Sequence, residues 1–173
     1  MAIKPRIFRT FLITVDATFS DLHKAIVDAG PWGSGHSFCF ACPGEGQSLI
    51  EPDGDEMSAG ALVADACPLT AYFGNPTNRS LIYTYDLSER WQHCVTLEET
   101  VQERARFRRR LIAGARAFPK ADMGGIDRYR ELVAIAKGTA PDTPRTRNCR
   151  HRLRGWDPEF FDLAIQQEIF DED

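Results

Sequence analysis

The sequence predicts an α+β fold, a single domain in which helices pack on a mixed, mainly antiparallel sheet. Three observations predict it. Leu81, Tyr83, Tyr85 and Leu87 share one face of an alternating run, and Trp91, His93, Val95 and Leu97 share one face of a second. The turn Ser88-Glu89-Arg90 is short enough to join the two as an antiparallel hairpin. Near the start, an alternating run at 7–15 is followed at once by an apolar stripe at helical spacing. Later, helical spacings stand between breaks at glycine and proline.

In the first run, Ile7, Phe11, Ile13 and Val15 face one way, and Thr10 and Thr14 the other. Asp16-Ala17 turns the chain. Thr18 is placed to cap a helix, with Asp21 as its reciprocal partner three positions on. Phe19, Leu22, Ile26 and Ala29 give that helix its apolar stripe. Gly30-Pro31 ends it, because proline has no N–H for the ladder and restricts the residue before it. Ser37 to Phe40 reads as a short strand, 43–55 as a loop, and Ala59 to Ala66 as a short helix before Pro68. With the turn cluster Gly74-Asn75-Pro76-Thr77-Asn78, these form an irregular insertion at about 41–78.

From Glu98 to Ala117 arginine and alanine favour helix, but no periodicity decides the matter. Asp127 to Lys137 reads as a helix with Tyr129, Leu132, Val133 and Ala136 inward and Gly138 at its end. A basic, proline-containing loop is expected at about 139–154. Asp157-Pro158 then has the form of a helix start, with Phe161, Ala164, Ile165 and Ile169 as the apolar face.

Composition narrows the function. The 173 residues, 43% hydrophobic and 27% charged, suit one self-sufficient globular domain rather than a disordered chain. A net charge of −4 argues against a protein that coats nucleic acid over its whole surface. The charge is uneven, with five arginines in Arg104–Arg110, five more in Arg145–Arg154, and an acidic run from Glu168 to Asp173. Five irregularly spaced cysteines and a Met1-Ala2-Ile3-Lys4-Pro5 start unlike a secretion signal read as reduced thiols in a cytoplasmic, bacterial-type protein. No apolar run approaches the roughly 20 residues of a membrane span.

Four segments in order resemble the Ri-plasmid ORF-3-like family, also met as TnpR-like passenger proteins of insertion elements. The first runs from Ile7-Phe8-Arg9 through Thr18-Phe19-Ser20-Asp21-Leu22-His23 and Ala25-Ile26 to Trp32 and His36. The second is Tyr83-Thr84-Tyr85-Asp86-Leu87 followed by Trp91-Gln92-His93. The third is Gly114-Ala115-Arg116-Ala117-Phe118-Pro119 with Asp122-Met123-Gly124-Gly125 and Tyr129, and the fourth is Trp156-Asp157-Pro158-Glu159-Phe160-Phe161-Asp162. The resemblance implies an α+β fold and a link to plasmids and mobile elements, and it implies no established activity. Two departures stand out. The family's glycine-aspartate turn is Ser88-Glu89 here, and a glutamate of its Cys-Pro-Pro-Glu-Asp run is Ala121.

The constellation with most chemistry is Asp86, Trp91 and His93, joined by His36, Tyr85 and Asp122 as a candidate polar–aromatic pocket. A carboxylate beside an imidazole fixes the tautomer and supports acid–base work. The plainer reading makes Asp86 a turn-closing residue and His93 a core histidine. The pocket reading needs the two strands paired, with Asp86 and His93 near the Gly124-Gly125 turn. His36, Cys39 and Cys42, with Cys67 or with Cys149 and His151, are loosely spaced for zinc. Buried thiols are the plainer reading of them, so no metal or cofactor is assigned. Cys94 and His93 are neighbours on a strand and point apart, which argues against a dyad. His23, Trp32 and Trp156 read as packed core residues, and Gly124-Gly125 as a weak anion site at a helix start.

Three functions follow. The first is a binding or interaction module using the polar–aromatic pocket. The second is a cryptic enzyme using Asp86, His93 and Asp122 in acid–base or metal-assisted chemistry. The third is a nucleic-acid accessory protein contacting phosphates through Arg104–Arg110 and Arg145–Arg154, whose plainer reading is a solvated basic face.

Overall fold

The computed structural model describes residues 3–30, 32–33, 35–43, 48–55, 57–119 and 124–172. In chain order its elements are β1 (Phe8–Ile13), α1 (Phe19–Asp28), β2 (Phe38–Cys42), β3 (Ser48–Glu51), β4 (Leu62–Val63) and α2 (Thr70–Phe73). There follow β5 (Ser80–Tyr85), β6 (Trp91–Thr96), β7 (Arg109–Ala115), α3 (Gly125–Ala136), α4 (Pro144–Arg152) and α5 (Leu163–Phe170). Five strands form one sheet in the order β4-β3-β2-β5-β6, antiparallel except between β3 and β4. β1 and β7 form a separate antiparallel ribbon. No helix among the described residues is long and apolar enough to cross a membrane.

The β5–β6 hairpin has the register its alternation predicts, with Leu81 opposite Val95, Tyr83 opposite His93 and Tyr85 opposite Trp91. Phe38 and Phe40 of β2 continue that face, opposite Tyr85 and Tyr83. Opposed residues share a face, so the sheet presents a block of rings to one side.

α1 covers this block. Its predicted capping box is present: Asp21 N–H donates to Thr18 Oγ1 at 3.2 Å and Thr18 N–H to Asp21 Oδ2 at 2.9 Å. Phe19 meets Phe40 edge-on at 5.0 Å. His23 stacks on Phe38 at 3.7 Å, and its Nδ1 lies 2.8 Å from the Tyr83 hydroxyl. On the other side of the helix, Ala25 and Ala29 pack with Leu111 of β7 and Phe170 of α5. The small side chains let the ribbon come close, so α1 is buried between two layers.

Two histidines end up in the interior. The His93 ring sits among Trp32 at 5.0 Å, Tyr83 at 5.7 Å and Phe118 at 5.8 Å. Its buried Nε2 has no hydrogen-bond partner among the described residues. Burial penalises the imidazolium and pushes both His23 and His93 down to about 4.

The remainder of the chain differs from the sequence reading in six places. The loop expected at 43–55 contains β3, and the expected helix at Ala59–Ala66 is instead turn and β4. β4 owes its place to pairing with β3, a long-range contact that local propensity does not register. The arginine-rich stretch after Glu98 is not helical; it ends in β7, recruited by β1. A register shift between Thr10 and Phe11 breaks the clean two-faced pattern expected of β1, and Val15 is 68% exposed. The basic loop is largely α4, started by a Thr143–Thr146 capping box with Pro144 in the first turn.

The sixth difference is the last helix, which begins after Asp162 rather than at Asp157. Asp157 Oδ1 accepts from Glu159 N–H and closes a turn, while Asp162 caps α5 through Ile165 N–H. The later start rotates the buried face to Phe170 and leaves Ile165 and Ile169 exposed.

Gly114 of β7 marks the tightest approach. A Cβ there would lie 2.5 Å from Phe161 Cζ and 2.8 Å from Arg9 Cδ. The Arg9 guanidinium lies over both Phe161, at 4.2 Å, and Phe118, at 4.8 Å, and burial lowers its pKa to about 10. Gly114→Ala should therefore destabilise the protein by about 1–3 kcal/mol, read from denaturant midpoints. A change below about 0.5 kcal/mol would show that Phe161 moves aside freely.

The buried histidines set a pH dependence. Their folded pKa of about 4 lies below the 6.5 of a free imidazole, so the unfolded chain binds more protons between those values. Stability is full above pH 6.5 and is lost as pH falls through that window, by up to about 1.4 kcal/mol per pH unit for each ring. His93→Phe should flatten the profile of denaturation free energy against pH by about one proton. An unchanged slope would mean that His93 is protonated in the folded state.

Candidate functional site

The predicted site lies where β5 ends and the chain reverses. Asp86 and Arg90 bound the turn, both in the left-handed region with φ of 53° and 56°. Aspartate tolerates this conformation because its short side chain bonds to nearby backbone. Asp86 N–H donates to Ser37 O at 2.8 Å, and Asp86 O accepts from Arg90 N–H at 2.6 Å, fastening the turn to the start of β2.

The Asp86 carboxylate is divided between two tasks. Oδ1 accepts from Ser88 Oγ at 2.5 Å, Ser88 N–H at 2.9 Å and Glu89 N–H at 3.2 Å. Oδ2 lies 3.3 Å from His36 Nδ1. The Ser88 hydroxyl, more than the backbone amides or His36, holds the carboxyl below its usual range against the opposing effect of burial. The Asp86 side chain is 9% exposed and that of His36 36%, so the pair reaches the surface through the imidazole.

Behind the pair stands an aromatic wall. Tyr85 donates its hydroxyl to Gly33 O at 2.7 Å and stacks on Trp32 at 4.6 Å with the rings 2° from parallel. Trp32 is fixed in turn by Nε1–H donating to Pro119 O at 2.8 Å. His36 meets the Tyr85 ring edge-on at 5.4 Å, and His93 meets the Trp32 ring edge-on at 5.0 Å. Trp91 touches Trp32 and, across to α3, Tyr129.

His36, Tyr85, Asp86, Trp91 and His93 are thus gathered into one cluster through Trp32, a residue the sequence reading placed in the core. Asp86 faces His36; among the described residues it makes no ion pair with His93. Tyr85, Trp91 and Asp86 are buried, so the cluster is a packed wall with one exposed edge. Asp122 lies outside the described residues.

Glu89 carries a role that the sequence did not suggest. Its Oε2 accepts from Trp91 Nε1–H at 2.8 Å, and its Oε1 accepts from Gly124 N–H at 2.7 Å. Gly124 caps α3 in the left-handed region, with φ of 86°. The helix start considered for an outside anion is therefore met by the protein's own carboxylate, and the hairpin turn is brought to Gly124-Gly125 through it.

The third and fourth motif segments are also joined. Arg116, left-handed with φ of 66°, donates from Nε and Nη2 to the two Glu159 oxygens at 2.7 Å each, and from Nη1 to Pro5 O at 2.6 Å. Lys137 pairs with the same carboxylate. Arg116 first, then Lys137, lowers the Glu159 pKa to about 2. The only advance signal was that both residues fall inside motif segments.

Among the described residues, no three histidine, cysteine or acidic groups converge as metal ligands. Burial raises the thiol pKa of Cys39, Cys42 and Cys67, that of Cys42 to about 11, which leaves them protonated and unreactive. The first arginine cluster is partly committed within the protein: Arg109 pairs with Asp28 and Glu172, and Arg108 with Glu172. The second lies along α4.

Comparison with known proteins agrees with the resemblance. Residues 1–165 match the family model described as plasmid pRiA4b ORF-3-like protein. An uncharacterized protein, y4hQ, of Sinorhizobium fredii (strain NBRC 101917 / NGR234) is 25% identical over 130 residues, 75% of this chain. The match spans 66% of that relative, just under two thirds of its length. The crystal structure of the protein of unknown function MM3350 from Methanosarcina mazei Go1 matches with a TM-score of 0.82 at 28% identity, covering 95% of this chain and 91% of that one. With nearly the whole chain matched by the family model and the same fold in a solved relative, this protein belongs to the plasmid pRiA4b ORF-3-like family.

Proposed function

We propose that this protein is a binding module whose ligand-facing surface is the His36–Asp86 edge of the aromatic wall. The observation that carries the reading is the holding of Asp86. One carboxylate oxygen is saturated by the turn, so the group is ionised and immobile, while the other has a partly exposed imidazole as its neighbour. A fixed carboxylate of this kind suits a guanidinium, an ammonium or an amide N–H brought by a ligand. The rigid Tyr85–Trp32 stack behind it adds a flat apolar surface.

The arrangement favours binding over acid–base catalysis by Asp86 and His93. The enzyme reading requires those two groups to exchange or share a proton. Here the carboxylate pairs with His36, and the His93 ring is enclosed by aromatics that keep it neutral.

A titration of isotope-labelled protein with arginine amide, lysine amide and acetamide tests the reading. Saturable shifts of the His36, Ser88 and Glu89 signals are expected with the cationic probes, at millimolar strength or better, about −4 kcal/mol. Asp86→Asn, which keeps the shape, should remove them, and His36→Ala should weaken them while changing stability by no more than about 0.5 kcal/mol. The reading fails if these signals stay still up to about 10 mM probe, or if Asp86→Asn binds as well as the parent.

A further inference from the structure

A second surface, separate from the hairpin edge, has the chemistry of a phosphate-binding groove. It is a depression of about 460 Å³ lined by Ala136 of α3, Arg147, Arg150 and His151 of α4, and Leu153, Arg154 and Trp156 beyond it. That volume is within the range of small-ligand sites.

Three observations converge on it. First, Arg147, Arg150 and His151 stand at i, i+3 and i+4, the spacing that places side chains on one face of α4, and Arg154 follows in the turn after the helix, its N–H donating to His151 O.

Second, its charge is only partly neutralised among the described residues. Segment 145–154 holds five arginines and His151, and the carboxylates that pair with it there are Asp142, shared by Arg147 and Arg150, and Glu131, which serves Arg145 and Arg128. No ion pair holds His151, Arg152 or Arg154 among the described residues. Cations in the last turn of a helix are favourable in themselves, but that effect needs one or two groups, not a row.

Third, α4 has almost no apolar face: Thr146 is its one buried residue among those described, and Cys149 packs half-buried against the core. Packing therefore gives no reason for its row of arginines. Trp156, half-buried, adds an indole to the lining of the groove and is held by an edge-on contact with Tyr129 at 6.1 Å.

We infer that this groove binds single-stranded nucleic acid, with a base against the Trp156 indole and neighbouring phosphates on Arg147, Arg150 and Arg154. Stacking on an indole beside arginines is sequence-tolerant, and it requires an unpaired base, which a duplex does not offer. The overall charge of −4 limits the contact to this patch and keeps the affinity modest.

Fluorescence anisotropy with a labelled oligo-dT, a matched duplex and vesicles containing phosphatidylserine tests the inference on the full chain. Single strands should bind with a dissociation constant of about 10⁻⁴–10⁻⁶ M, and log affinity should fall with log salt at a slope of about −2, as for three phosphates. Arg150→Ala with Arg154→Ala should lower binding roughly tenfold or more and reduce the slope by about 1.4. Arg104→Ala with Arg106→Ala makes the same charge change in the other cluster and should leave binding intact. Trp156→Phe should retain single-strand binding and Trp156→Leu should lose it, each read alongside a melting curve. Four results would each overturn the inference: no binding near 50 mM salt, equal affinity for duplex, preference for the vesicles, or equal effects of the two arginine pairs.

Discussion

Two tyrosine hydroxyls on the buried face of β5 constrain the rest of this structure. Tyr83 and Tyr85 are almost wholly enclosed, and a buried hydroxyl without a partner costs about 1–3 kcal/mol. Tyr83 is satisfied by His23 of α1, and Tyr85 by the carbonyl of Gly33. These bonds determine where the first helix sits on the sheet and where the segment after it passes. The rings that follow, Trp32 on Tyr85 and Phe38 under His23, fill the positions thus defined. Burial strongly disfavours ionisation of the Tyr83 hydroxyl, and the same burial keeps His23 neutral, so the joint is a contact between two uncharged groups.

Much of this was legible in the residue order, for local reasons. The hairpin is visible because its strands are adjacent in sequence and alternate cleanly. The start of α1 is visible because Thr18 and Asp21 complete their cap within four residues. β7 is hidden because its partner β1 lies about a hundred residues away, and an Arg–Arg–Leu–Ile–Ala run has no preference that announces a strand. α4 is hidden for the opposite reason: its periodicity is one of charge rather than of apolar residues, so the usual stripe is missing. The site was half legible. The sequence supplied its residues, but the pairing of Asp86 with His36 rather than His93 depends on the turn geometry, and the bridging role of Glu89 on a helix start far along the chain.

The arrangement of charge separates two kinds of surface. Around Glu159 and Asp86 each ion is held by several partners, and these groups fasten segments that are distant in sequence. The arginines at 108–109 do similar work, tying the ribbon to the end of α5 through Glu172. Along α4 the cations also outnumber the acids paired with them. Each arginine cluster has two carboxylates in ion pairs among the described residues; what sets the second apart is that three of its arginines line one groove with Trp156.

The reach of Glu89 has a consequence for the family. Its two oxygens span from the Trp91 indole to the first amide of α3, so the length of this one side chain sets the gap between hairpin and helix. The glycine-aspartate turn that the resemblance associates with relatives carries a side chain shorter by one carbon–carbon bond, about 1.5 Å. Such a chain must either draw the helix inward or release one end of the span. Residues 88–89 and 124–125 should therefore change together as relatives diverge, although they lie far apart in the sequence.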